Sequence, residues 1–305
     1  MRVDSVHQKN SPHILTDLVF APDQVPGQED TILLPLMGKQ KVLNAISMGP
    51  GSNNMAEGFE KDNIPGVIAR QEAFLKKNGF SPLSQAFLGV AVAKEVQPKI
   101  IDIEEQMTET VLNAECLFTT LPGIPLLMKT ADCPTAVIQA KTKSGQIVLG
   151  IAHLGRPQVN ERVTEQILNH LFTHYGCSPQ TTYVSVAPSI SPKHYSLRQK
   201  DQDEKQLIDS SYWGDYALPE RDASGEALIR IDVLGKILSI LQEYAIPSKN
   251  IEAYGHDNQV DTYSLAEKNP PEAFSYRYSV ATNQPERNGR LMVVAQLPLS
   301  SRNSG

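Results

Sequence analysis

Apolar positions along the chain alternate between two spacings. In the middle, residues 85–96, 117–120, 125–129, 135–140 and 147–152 carry alternating or unbroken apolar runs of strand length. On either side the spacing becomes helical. Residues 65–77 place Val67, Ile68, Phe74 and Leu75 on one side and meet a stop at Gly79. Asn160 is a suitable N-cap for a helix reaching about Tyr175, with Val163, Ile167 and Leu171 as its stripe. Asp232 caps another helix, striped by Val233, Ile237, Leu241 and Tyr244. Further strands are expected at 182–187, 251–254 and 291–297, a short apolar run at 31–34 is closed by Pro35, and Gly- and Asn-rich 48–54 reads as a loop. Helices interleaved with strands, the central hairpin among them, point to an α/β or α+β domain with a mixed sheet.

Composition narrows the class. The chain has 305 residues, 40% of them hydrophobic, enough for a sizeable core. A net charge of −6 and the absence of a Lys/Arg-rich stretch argue against a general nucleic-acid binder. The first 22 residues are polar and interrupted by Pro12 and Pro22, which suits neither a signal peptide nor a membrane span. Three cysteines, Cys116, Cys133 and Cys177, in no paired spacing, fit free thiols in a reducing, cytoplasmic setting.

The chemistry gathers around Cys133 and His153, ten residues either side of Lys143. A hairpin symmetric about Lys143 brings their Cβ atoms to roughly 4.5–5.5 Å at its open end. A thiol beside an imidazole is half of a metal site or a nucleophile with its base; the plainer reading is a buried cysteine and a histidine at a strand end. His170 and His174, four apart on the 160–175 helix, have no acid adjoining them in sequence and read as surface residues. Tyr212 and Trp213, in the polar stretch 199–224, are candidates for a lid or an interface anchor.

The run Thr130-Ala131-Asp132-Cys133-Pro134 and the run Ala152-His153-Leu154-Gly155-Arg156 resemble the T-A-D-C-x-P and A-H-A-G-W-R-G signatures of the YfiH-like laccase-domain family. Collinear matches extend the resemblance over about 45–297: Ala114-Glu115, the turn from Pro188 to Pro192, Ile231-Asp232-Val233, Asp261-Thr262-Tyr263, Phe274-Ser275-Tyr276-Arg277 and Gly289-Arg290. It implies a single-domain, layered α/β fold with a mixed sheet, shared with cysteine deamidases and expected over residues 45–297, after a partly irregular segment 1–44 and before a disordered tail 298–305, and a zinc-dependent purine nucleoside phosphorylase activity, often accompanied by adenosine deamination. Nucleoside and phosphate are then the small-molecule partners, and Arg156, Arg277 and Arg290 the residues for phosphate or ribose.

Three departures accompany the match. Leu88 stands where the family's third zinc ligand, a histidine, is expected. Pro157 follows an arginine shifted by one position, and Tyr278 replaces a second arginine. Two protein ligands hold zinc far more weakly than three. The residues therefore leave three readings: a site rebuilt with His194 or His256; a metal-free Cys133 nucleophile with His153 as base, oriented by Asp132 or Asp261, in a hydrolase or deamidase; and a non-catalytic ligand-binding relative. Asp132 has a plainer role too, bracing its loop through backbone hydrogen bonds.

Overall fold

A computed structural model describes residues 11–21, 30–48, 54–55, 63–90, 99–198, 209–255, 260–269 and 271–299. The strands are β1 (His13–Leu15), β2 (Thr31–Ile32), β3 (Leu43–Ser47), β4 (Phe87–Val90), β5 (Ile100–Ile103), β6 (Val111–Asn113), β7 (Cys116–Thr119) and β8 (Pro125–Thr130). They continue as β9 (Thr135–Lys141), β10 (Ile147–His153), β11 (Tyr183–Val186), β12 (Ser196–Arg198), β13 (Ala217–Arg221), β14 (Ala227–Ile231), β15 (Ile251–Tyr254) and β16 (Leu291–Gln296). The helices are α1 (Pro35–Lys39), α2 (Ile64–Lys77), α3 (Arg156–Asn160), α4 (Val163–Thr173), α5 (Ser210–Trp213), α6 (Val233–Glu243), α7 (Thr262–Glu267) and α8 (Tyr276–Thr282).

Two mixed sheets stack between helices. The first runs β1-β15-β11-β9-β10-β7-β5, the second β2-β3-β16-β8-β4-β6, and β12-β14-β13 forms a small antiparallel sheet to one side. Alternation assigns the layers. In β9, Ala136, Ile138 and Ala140 join Val163, Ile167 and Leu171 of α4 and Ile237 and Leu241 of α6 in one core, while Val137 faces the other way. Val137, Leu149 and Ile151 meet Leu126, Met128, Val293 and Ala295 of the second sheet. That sheet's outer face, with Leu127, Met292 and Val294, is closed by Phe74 and Leu75 of α2. The order is helix, sheet, sheet, helix. Strands covered on both faces read as near-continuous apolar runs, as β10 does and as β9 does apart from the buried Gln139. The expected α/β class with layered mixed sheets is the one observed, divided between two principal sheets. Among the described residues no helix is long and apolar enough to cross a membrane.

Two local expectations change. Asn160 closes α3 instead of capping α4; the α4 N-cap is Arg162 at φ 57°, and the Asn160 side chain accepts the Trp213 indole N–H at 2.6 Å. Trp213 is completely buried, and the Tyr212 hydroxyl donates to Glu165 at 2.8 Å with Arg162 and Lys236 over its ring. Burial and hydrogen bonding make this pair a core anchor for α4, not a lid. The expected strand 85–96 is seen at Phe87–Val90; residues 91–96, positions 49–53 of the expected loop, residues 199–208 and the tail from 300 lie outside the described residues.

Candidate functional site

The hairpin places the site, though not in the expected register. Gly145 at φ 91° ends a three-residue turn, Lys143-Ser144-Gly145, and Ile147 pairs with Lys141. The pivot is therefore Ser144, and Thr135, not Cys133, stands opposite His153. Cys133 still reaches the imidazole because it lies off the strand, on the crossover from β8 in the second sheet to β9 in the first. That crossover is pinned: the Thr130 hydroxyl donates to the Cys133 carbonyl at 2.7 Å, Leu154 N–H to Pro134 O at 2.8 Å, and Ile190 N–H to Asp132 O at 2.9 Å.

His153 has two partners. Cys133 hydrogen-bonds its imidazole. Its Nδ1 lies 3.2 Å from Oε2 of Glu115, a buried carboxylate whose Oε1 accepts Gln158 Nε2 at 3.0 Å. Burial alone would lower the imidazole pKa, but the Cys133 charge and hydrogen bond, followed by those of Glu115, outweigh it and raise it to about 10. The result is a Cys133–His153–Glu115 relay. Sequence reasoning did not single out Glu115 as the orienting acid. Its signal is topological: Ala152 pairs with Cys116, so Glu115 falls opposite His153, whose N–H donates to the Glu115 carbonyl at 2.9 Å.

The two acids expected to orient His153 are engaged elsewhere. Asp132 accepts the Thr262 hydroxyl on Oδ1 at 2.8 Å and the Arg277 backbone N–H on Oδ2 at 2.9 Å. Burial raises its pKa against those hydrogen bonds, and its geometry is that of a loop brace. Asp261 is fully buried and accepts His194 Nδ1 at 2.8 Å, while the His194 ring stacks on Tyr263 at 4.3 Å.

A cavity of about 340 Å³ opens on the relay. Cys133, His153 and Asp132 line it, together with Lys129, Arg156, Arg277 and Arg290 and the aromatic walls Tyr195 and Tyr276. Arg156, almost buried, begins α3, and the Arg277 guanidinium lies 4.7 Å from the Tyr195 ring centroid. Arg290 Nη1 donates to the Gly289 carbonyl at 2.8 Å and to Asn288 Oδ1 at 3.1 Å. Burial raises the Tyr195 pKa, opposed by Arg156 and Arg277, and lowers that of Arg290, opposed by Cys133 and Asp132. All three arginines singled out in the sequence thus meet at one cavity.

A family model described as multi-copper polyphenol oxidoreductase laccase matches residues 50–298. The chain belongs to this family. No curated protein matches it. Among solved structures, this laccase-domain chain is similar to YlmD from Geobacillus stearothermophilus at 16% identity and TM-score 0.68, over 93% of this chain and 100% of that one. It is also similar to the hypothetical protein YfiH of Bacillus licheniformis, at 16% identity and TM-score 0.65, over 88% and 96%. A Neisseria meningitidis protein, NMB0706, of the family DUF152, aligns at 16% identity and TM-score 0.58, over 85% and 95%. These likenesses are of fold.

The metal that the family description and the sequence resemblance suggest can be tested against the donors. Cys133 and His153 are adjacent, but Leu88 packs with the outer cluster under α2, His194 is tied to Asp261, and His256 lies outside the described residues. Among the described residues, no third acid, cysteine or histidine ligand atom joins the pair closely enough to hold an ion. The donors around Cys133 do not fit a three-ligand zinc site.

Gly155 sits against the relay. A Cβ at this position would come within 2.8 Å of Cys133 Sγ and of Gln158 Oε1. Gly155→Ala is therefore expected to displace the thiol and loosen the Glu115 clamp while the fold persists, lowering turnover in the reaction proposed below by about 100-fold, the cost of an ångström-scale misplacement. The check is turnover beside an unchanged circular dichroism spectrum; wild-type rates would mean that the thiol position is immaterial.

Proposed function

We propose that the chain cleaves purine nucleosides with inorganic phosphate, giving the free base and ribose 1-phosphate. The observation that carries this reading is the convergence of Lys129, Arg156, Arg277 and Arg290 on the cavity holding Cys133 and His153. Guanidiniums suit phosphate oxygens, and a cationic cavity of this size suits a small anionic co-substrate better than an uncharged amide alone. Tyr195 and Tyr276 offer aromatic faces to a base or sugar.

In the step, a phosphate oxygen bonds to C1′ as the C1′–N bond breaks and its electron pair leaves with the base. The arginines hold the attacking anion in place. The His153 imidazolium, held charged by Cys133 and Glu115, gives its proton to a nitrogen of the departing base and regains one from solvent. Adenosine deamination to inosine is a companion activity to be measured in the same assay. Free thiols suit a cytoplasmic setting for such an enzyme.

The relay also favours a second reading, in which Cys133 is the nucleophile of a hydrolase with His153 as base and Glu115 as orienter. One experiment separates the two. Adenosine, inosine and guanosine are incubated with and without phosphate, and the products are identified by mass spectrometry beside Arg156→Gln. Phosphate-dependent ribose 1-phosphate, formed with a raised KM for phosphate in the variant, is the expected result. Free ribose formed without phosphate transfers the reading to hydrolysis; no cleavage of any nucleoside overturns the phosphorylase.

A further inference from the structure

His170 and His174 acquire in the fold the acid they lack in sequence. His170, in the last turn of α4, and His174, its C-cap, lie against β5, the edge strand of the first sheet, where Asp102 interrupts the apolar run Ile100–Ile103. His170 Nε2 lies 3.0 and 3.1 Å from the two Asp102 oxygens, and His174 Nε2 lies 3.6 Å from Oδ2. The two imidazoles stack at 4.7 Å and 14°, with both Nε2 atoms at the same carboxylate. Among the described residues this is the one set of three or more acid, cysteine and histidine side chains whose ligand atoms all lie within 4.8 Å of one another.

From this geometry we infer that Asp102, His170 and His174 form a binding site for a divalent transition-metal ion, with zinc as its natural occupant. Four ligands on bonds of 2.0–2.2 Å to a tetrahedral zinc stand about 3.4 Å apart. The His-to-Asp separations of 3.0 to 3.6 Å bracket that edge. Two imidazoles and one carboxylate are donors that zinc accepts. The surroundings orient them: the Tyr175 hydroxyl donates to Asp102 Oδ1 at 2.7 Å, and Phe118 stacks under His170 at 5.7 Å. Phe118 has room there because Gly150 on the neighbouring strand carries no Cβ, which would fall 2.4 Å from its ring. Outer hydrogen bonds of this kind fix a ligand's direction. The half-exposed side chain of His174 leaves a path from solvent and a vertex for water. An ion here ties β5, paired only with β7 at the sheet edge, to the end of α4, and stabilises the fold by binding the native state alone.

The test uses the full chain in a Cys133→Ala background, which removes the thiol at the cavity, and compares it with Cys133→Ala/His174→Ala. His174 is half-exposed and outside the core, so its loss removes one ring stack and leaves the core intact. Each protein is dialysed against zinc, its metal content read by mass spectrometry and its melting temperature followed against added zinc. One zinc per chain and a zinc-dependent rise in melting temperature are expected in the first protein. In the second, affinity should fall by more than about 100-fold, beyond what loss of an outer-shell partner costs. No zinc in the first protein, or equal zinc in both, overturns the site.

Discussion

His153→Gln is expected to lower the proposed nucleoside cleavage by about 10²- to 10⁴-fold, the usual contribution of a placed proton donor, while the KM for phosphate stays near wild type. The split follows from where the groups sit. The cations are contributed by β8, the start of α3, α8 and the approach to β16, so the cavity keeps its charge when the imidazole is gone. His153 ends β10 and is fixed there by its backbone hydrogen bond to Glu115, which glutamine retains. A companion variant, Glu115→Gln, tests the cause of the charge on His153. The raised pKa, about 10, means the imidazolium persists from neutral pH until the pH passes that value. Removing the Glu115 charge lowers the pKa, so the alkaline fall in kcat moves to lower pH. An unshifted alkaline limb in Glu115→Gln, or wild-type kcat in His153→Gln, would remove His153 from the proton transfer.

Local signals carried much of the fold. The stripe Val163, Ile167, Leu171 and the stripe Val233, Ile237, Leu241 are the buried sides of α4 and α6, and the mostly apolar runs around 135–140 and 147–152 are strands covered on both faces. Periodicity tells which face of a strand is buried, but not against which layer. The division of β8 and β9 between two sheets was therefore illegible, and that division puts Cys133 on a crossover. The hairpin was legible while its pivot was not: moving it from Lys143 to Ser144 shifts the register by two, which returns each side chain to the same face.

The acids show the same limit from the other side. Cys133 and His153 carry a motif, whereas Glu115 is 38 residues from its histidine and meets it only through the β7–β10 ladder. Asp102 is 68 residues from His170 and meets it only across the sheet edge. Each nonetheless leaves a trace in the sequence. A single carboxylate inside or beside a short apolar strand, as in Ile100–Ile103 or before Cys116–Thr119, is costly to bury unless something pairs with it. Asking what pairs with such a carboxylate finds both histidines.

The largest loss of stability is expected from Asp261→Ala, about 3–5 kcal/mol, because three donors lose their acceptor, at about 1–3 kcal/mol for each that is left buried and unpaired. Asp261 has no exposed surface, and its two oxygens tie the start of α7 to the turn that carries Ser191 and His194. Oδ1 caps α7 through Ser264 N–H at 2.9 Å; Oδ2 accepts Ser191 N–H at 3.1 Å and His194 Nδ1 at 2.8 Å. Alanine strands those donors and releases the start of α7, whose Thr262 hydroxyl braces Asp132 beside Cys133. The melting temperature should fall by roughly 10 °C, given 2–4 °C per kcal/mol for chains approaching this size. Asp261→Asn keeps an acceptor but loses the charge, and acid separates the two effects. Burial tends to raise the Asp261 pKa, but the hydrogen bonds from His194, Ser264 and Ser191 outweigh it and hold it below its ordinary 3.8. A depressed carboxylate pKa contributes stability above the unfolded value, and that stability is lost as pH falls through the folded value. The gap in melting temperature between wild type and Asp261→Asn should therefore be full at neutral pH and close below about pH 4. A gap that stayed constant into acid would assign the loss to packing and not to the charge.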